Sequence, residues 1–214
     1  MKGLLKNNFY TVCANAKVYS VFMLILGIFV TAVVSQSLLI SYVIMGIVGF
    51  SVNAIAVVKN EFVSKWGKYK LTLPVKRADI VKSYFINQII WLLVGTLFAG
   101  TVMCLSWFLH GCPFDRSIDA LTTIAQGISV SLLMGAIFFP LFYLGGTERS
   151  DVFLIITFLC AFGIDLAAVT VINKLLEPGN TTILLGAAAL LVFSLLAFSI
   201  SYPITVGIFK RKEY

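Results

Sequence analysis

Residues 59–83, KNEFVSKWGKYKLTLPVKRADIVKS, form the one long charged block in a chain otherwise built of apolar runs. Within it Phe62, Trp66, Tyr69 and Leu73 recur at i, i+4, i+7 and i+11, the spacing of one helical face. Lys59, Lys65, Lys68 and Lys70 fall away from that aromatic stripe, so the helix it predicts is amphipathic and basic. Pro74 disfavours a helical Leu73 and suits the first turn of a new helix. The block therefore predicts helix, break, helix between two long apolar segments.

On either side of the block the composition leaves one broad class. Hydrophobic residues make up 60% of the 214 positions and charged residues 12%, whereas soluble domains are roughly half apolar and a quarter charged. An all-α integral membrane protein follows. Apolar runs long enough to cross a bilayer, about 20 residues each, predict six spans at about 18–34, 38–58, 84–109, 120–144, 152–173 and 181–209, in one transmembrane domain over 1–214. The first run lacks a small-x-small cleavage site and continues into the second, so it is expected to be retained.

Charge sets the expected orientation. With both termini in the cytoplasm, fourteen Lys and Arg residues lie inside and only Arg116 and Lys174 outside, a strong positive-inside bias. The net charge of +7 is then a signature of topology and of lipid headgroups as partners, and nucleic acid is not needed to explain it. Residues 1–17 place Leu5, Phe9, Val12, Cys13 and Ala16 on one arc with Asn7, Asn8, Thr11 and Asn15 opposite, the pattern of an interfacial helix along the inner leaflet.

Few residues carry chemistry. Of the four cysteines only Cys112 falls in an outer loop, which argues against a disulfide framework, and the single histidine, His110, stands without a ligand cluster, so no metal site is expected. The Gly145-Gly146 pair is not followed by the Gly-Lys-Ser/Thr of a phosphate loop. No catalytic residue is expected, and the chain is expected to bind no nucleotide itself. Gly127, Ser131 and Gly135 make a small-residue stripe at four-residue spacing, which suits close helix packing, and Asn53, Asn87 and Gln88 are amides at similar depth suited to bonds between helices. Asp165 is the only ionisable residue deep in a span. A charged carboxylate there costs of order 3 kcal/mol or more, so it is either a functional site or is held by hydroxyls such as Ser129 or Ser131.

Taken together, Glu61 after the second span, Trp66-Gly67 and Tyr69, then Leu73-Pro74-Val75 with Arg77, Ile80 and Val81 resemble the membrane subunit of a type-2 ABC exporter. The small permeases that export peptides such as phenol-soluble modulins from Gram-positive cells are the most similar in pattern. Lys82-Ser83-Tyr84 departs from it, since a lysine directly before the aromatic is expected. The resemblance implies a cell-membrane permease that pairs with a second copy, identical or related, and binds a cytoplasmic ATPase carrying ATP and Mg. It also implies that residues 59–83 are the coupling region. Glu61, Phe62, Lys65, Trp66, Lys68, Tyr69 and Lys70 would form the docking helix, and Pro74 and Arg77 the break and the entry to the third span. The bland alternative lays the same aromatic stripe on the headgroups. Another class, a stand-alone carrier using Asp165 for protons or cations, usually brings internal repeats and more buried charge. An intramembrane enzyme lacks paired carboxylates and His or Cys partners.

Overall fold

The computed structural model describes residues 2–33, 35–63, 76–111, 114, 116–146, 149–175 and 179–211. They form six helices: α1 Lys2–Val33, α2 Gln36–Val63, α3 Arg77–His110, α4 Ser117–Gly145, α5 Ser150–Leu175 and α6 Asn180–Arg211. All six are long and apolar enough to cross a membrane, which follows from the need of a chain in hydrocarbon to satisfy its backbone groups internally. The chain is thus an all-helical, six-span membrane protein.

The helices overrun the expected spans. α1 has 32 residues and α3 has 34, about 48 and 51 Å at the helical rise, against a hydrocarbon core of about 30 Å. A helix has no reason to stop where its apolar run stops, because its backbone is already paired. So α2 continues past residue 58 to Val63, and α3 begins at Arg77, two turns before residue 84.

Residues 2–17, expected as a separate interfacial helix, are the first half of an unbroken α1. Their apolar arc faces α2 and α3 rather than open surface. Val12 and Ala16 are buried with Phe50, Ala54 and Trp91, and Phe9 stacks on Trp91 at 5.3 Å. Asn8, placed by the wheel on the polar side, is wholly buried and donates to Ser83 Oγ at 3.0 Å. A partner at the right height outweighs the polarity of one amide.

α1 and α2 are antiparallel neighbours stitched by two reciprocal tyrosines. Tyr42 donates to the Met23 carbonyl at 3.2 Å and Tyr19 to the Met45 carbonyl at 2.6 Å. Each hydroxyl lies over a glycine of the other helix, Gly27 and Gly49, where a Cβ would collide with it. α4 occupies the centre of the bundle: it packs on α2, α3, α5 and α6, most extensively on α6. By contrast α5 leans on α4 and only slightly on α6. The start of α1, the end of α2, the starts of α3 and α5 and the end of α6 share one end of the bundle, here called the basic end.

Candidate functional site

At the basic end both described flanks of the 59–83 block are tied to other helices. On the upstream side Lys59, near the end of α2, forms an ion pair with Asp151 in the first turn of α5, Nζ to Oδ1 at 2.5 Å. Asp151 is well placed there, since an acidic side chain complements the positive end of the helix dipole. On the downstream side Arg77, the first residue of α3, donates to the Phe209 and Lys210 carbonyls at 3.2 Å each. Those carbonyls belong to the last turn of α6. The guanidinium also lies 5.7 Å from the centre of the buried Phe209 ring, a cation–π arrangement.

The docking side chains themselves fall elsewhere. Glu61 and Phe62 lie on the last turn of α2, but their side chains, with Lys65, Trp66, Lys68, Tyr69, Lys70 and Pro74, lie outside the described residues. Arg77 is the member of the set with a described environment.

Between α2 and α5 runs an open groove of about 670 Å³, lined by Tyr19, Met45, Gly49, Asn53, Phe158 and Phe162 among others. α2 and α5 pack little on each other, and each packs extensively on α4. Asn53, expected to bond across helices, turns its amide back to the Gly49 carbonyl at 2.9 Å and faces this groove. Lys59 lies on the same stripe of α2 as Met45 and Val52, and Asp151 sits two turns before Phe158 on the same face of α5. Their ion pair therefore spans the gap at the groove's basic end.

Behind the groove, α2, α3 and α4 meet in a polar seam. Ser131 Oγ donates to Ser51 Oγ at 2.5 Å, and Gln88 Nε2 donates to the Ser131 carbonyl at 2.9 Å and to Ser51 Oγ at 3.4 Å. Gly135 lies under the Gln88 amide and Gly127 against Ile47, so a Cβ at either would collide. The small-residue stripe of α4 thus faces α2 and α3. Gln88 Oε1, the Asn87 amide and Trp91 Nε1 have no hydrogen-bond partner among the described residues.

Asp165 sits on the side of α5 turned toward α4, 8% exposed. Neither hydroxyl named as its possible holder bonds it: Ser131 is engaged with Ser51, and Ser129 Oγ, like Asp165 Oδ1, has no partner among the described residues. These residues also contain no group of three or more His, Cys, Asp or Glu that could hold a metal ion. Sequence reasoning did not find Ser51, Asn8, Ser83 or Asp151, which are ordinary residues made specific by the helix each one faces.

A bundle of six helices, each long and apolar enough to cross a bilayer, defines a class, the multi-pass membrane protein. Over residues 3–210 the chain matches the model of a family described as ABC-2 family transporter protein, and it belongs to that family. It is therefore a transmembrane subunit of an ABC transporter, not itself catalytic, and its family implies partnership with an ABC ATPase subunit. Comparison with the curated proteins and with the solved structures finds no match.

Proposed function

We propose that this chain is the permease of an ATP-driven exporter that moves amphipathic or hydrophobic peptides out of the cell. Its basic end faces the cytoplasm, two copies or two related chains pair in the membrane, and a separate ATPase holding ATP and Mg docks on residues 59–83. The observation that carries this reading is the family match over residues 3–210 combined with the aromatic stripe of that block. Phe62, Trp66 and Tyr69 would be the anchors, since large aromatics make strong interface hot spots, with Glu61, Lys65, Lys68 and Lys70 as rim charges.

The cargo class rests on the α2–α5 groove. Its walls are aromatic and aliphatic, and Asn53, Ser41 and the Tyr19 hydroxyl supply a few polar groups. Such a lining suits a molecule with an apolar face and occasional polar groups better than a sugar or an ion. Replacing Trp66 and Tyr69 together by Ala tests the docking: the ATPase no longer co-purifies with a permease that is still folded, and export stops. A complex that stays intact and active after that double change refutes the assignment.

Asp165 supports a second reading, a proton or cation site of a stand-alone carrier, because its carboxyl is buried and its Oδ1 has no partner among the described residues. Asp165→Asn decides between the two. An ATP-driven exporter keeps its driving force in that variant, whereas a carrier coupled to a pH gradient loses it.

A further inference from the structure

α4 carries two polar stripes, and the seam with α2 and α3 uses only one of them, Gly127, Ser131 and Gly135. On its other side Asp119, Thr122, Gln126 and Ser129 recur at i, i+3, i+7 and i+10, a second stripe that runs inward from the end opposite the basic end. Thr122 and Gln126 line a cavity of about 70 Å³ between α4, α5 and α6, whose other walls include Val169 and Ile172 of α5 and Gly186 and Leu190 of α6. That volume holds a few water molecules, and the two polar side chains suit them. Thr122, Ile172 and Gly186 each lie within about two turns of an end of their helix, so the cavity is close to that surface of the bundle.

Below the cavity the same two faces bring a pair of buried oxygens to one level. Ser129 is three residues inward of Gln126 on α4, and Asp165 is four residues inward of Val169 on α5, about 4.5 and 6 Å along the two helices. Ser129 is wholly buried and Asp165 is 8% exposed, and neither Ser129 Oγ nor Asp165 Oδ1 has a partner among the described residues. Buried groups of this kind call for a ligand that completes them. One carboxyl and one hydroxyl fall short of the six or so oxygens that a hard metal ion takes. We infer that Asp165 and Ser129 form a proton-binding site, reached by water through the Thr122–Gln126 cavity from the end opposite the basic end. A cavity water gives its proton to the Asp165 carboxylate and recovers one from solution, and the reverse transfer empties the site. The Ser129 hydroxyl donates to the carboxylate or to the water beside it. With its proton the side chain is neutral and suits the packed α4–α5 contact; without it the charge needs the cavity water. No other titratable group lies on α4 between Asp119 and Tyr143, or on α6 between Asn180 and Tyr202. Asp119, in the first turn of α4, stands on the stripe at the cavity's outer side, and Lys174 lies on the opposite face of α5 from Asp165. The site serves a permease driven by ATP as well as a carrier, so it does not depend on the exporter reading.

Infrared spectroscopy of the purified permease in lipid nanodiscs tests the site, with the spectrum of Asp165→Asn subtracted to isolate the one carboxyl. The expected difference is a carboxylic C=O band that fades as a single-site titration when the pH rises and shifts promptly in D2O as its proton exchanges. Gly186→Leu, which fills the cavity against Ile172, keeps the band but slows exchange at least about tenfold, about 1.4 kcal/mol in barrier. Thr122→Val with Gln126→Leu removes the polar walls at little change in size and slows exchange likewise, which keeps the test in hand should Gly186→Leu fail to fold. Ser129→Ala moves the titration midpoint, and a midpoint that does not move overturns its part in the site. A band that ignores both pH and D2O overturns the inference, since Asp165 is then a sealed structural acid. So does a difference spectrum without the band at any pH, the mark of a carboxylate that never takes a proton. Exchange as fast in the cavity variants as in the unsubstituted protein overturns the route. None of these measurements involves an ATPase, so their failure leaves the exporter reading untouched, and an ATPase that fails to bind leaves the proton site standing.

Discussion

α4 and α5 are consecutive helices of similar length, yet they are built on opposite terms. Inside the 18-residue apolar window of α4, 67% of residues are buried; in that of α5 the figure is 17%. The α5 window has the higher hydropathy of the two, yet it is the less buried. In water that order would be reversed. In a bilayer, lipid tails are as apolar as a leucine core, so hydrophobicity does not drive a helix inward and small and hydroxyl residues mark the interior instead. α4 carries Gly127, Ser131 and Gly135 into the seam with α2 and α3, where close approach and hydrogen bonds hold it. α5 packs mainly on α4 and only slightly on α6, and its described bond to α2 is an ion pair at the rim. The difference separates a static centre, packed on four helices, from a helix held mainly on one side.

Four substitutions can break or sharpen that contrast. The largest effect belongs to the static side. A Cβ added at Gly95 would lie 3.1 Å from the Gly46 carbonyl oxygen and 3.2 Å from the Ile47 Cα, both backbone atoms that cannot swing aside, so Gly95→Leu should cost about 3 kcal/mol by overpacking. Reversible unfolding in mixed micelles measures it, and a loss within error of zero would mean that α2 and α3 are not in close contact. Next, Gln88→Ala removes the bonds to Ser131 and Ser51 and should cost about 1 kcal/mol on the same scale, the size of a hydrogen bond between membrane helices.

On α5 the sign should reverse. Asp165→Leu exchanges a buried carboxyl whose Oδ1 has no partner among the described residues for an apolar group, which is neutral or stabilising by about 1 kcal/mol. Destabilisation on that scale would reveal a bond that Asp165 makes in the membrane, and lost transport with gained stability would mark it as functional. The smallest effect is at the rim: Lys59→Gln should change stability by at most about 0.5 kcal/mol, and even this should vanish in high salt.

Much of the fold was legible beforehand and much of the site was not. Six spans could be counted because each run between charges had the length a bilayer demands. The α1–α2 hairpin followed from a connection too short for anything but antiparallel neighbours. The stripe at 127, 131 and 135 was visible as small residues at helical spacing, but its partners Ile47, Ser51 and Gln88 come from two other helices. Asn53 shows the limit most plainly: alone it looked like glue between helices, but it turns back on its own backbone and faces a groove. The arc of residues 5–16 is likewise apolar on a helical wheel, but the wheel does not contain its counterpart, α2 and α3 rather than the headgroups.

What the chain's order of residues determined alone was the number and order of its membrane helices, together with the basic block between the second and third. These depend only on local cost, since every backbone group in hydrocarbon must be paired within its own segment. Tertiary structure alone decided which helix lies at the centre, where the groove opens, and that Lys59 and Arg77 reach α5 and α6 respectively. Apolar surface is equally at home against lipid or protein, so hydropathy holds no record of which face meets which, and only the packed bundle does.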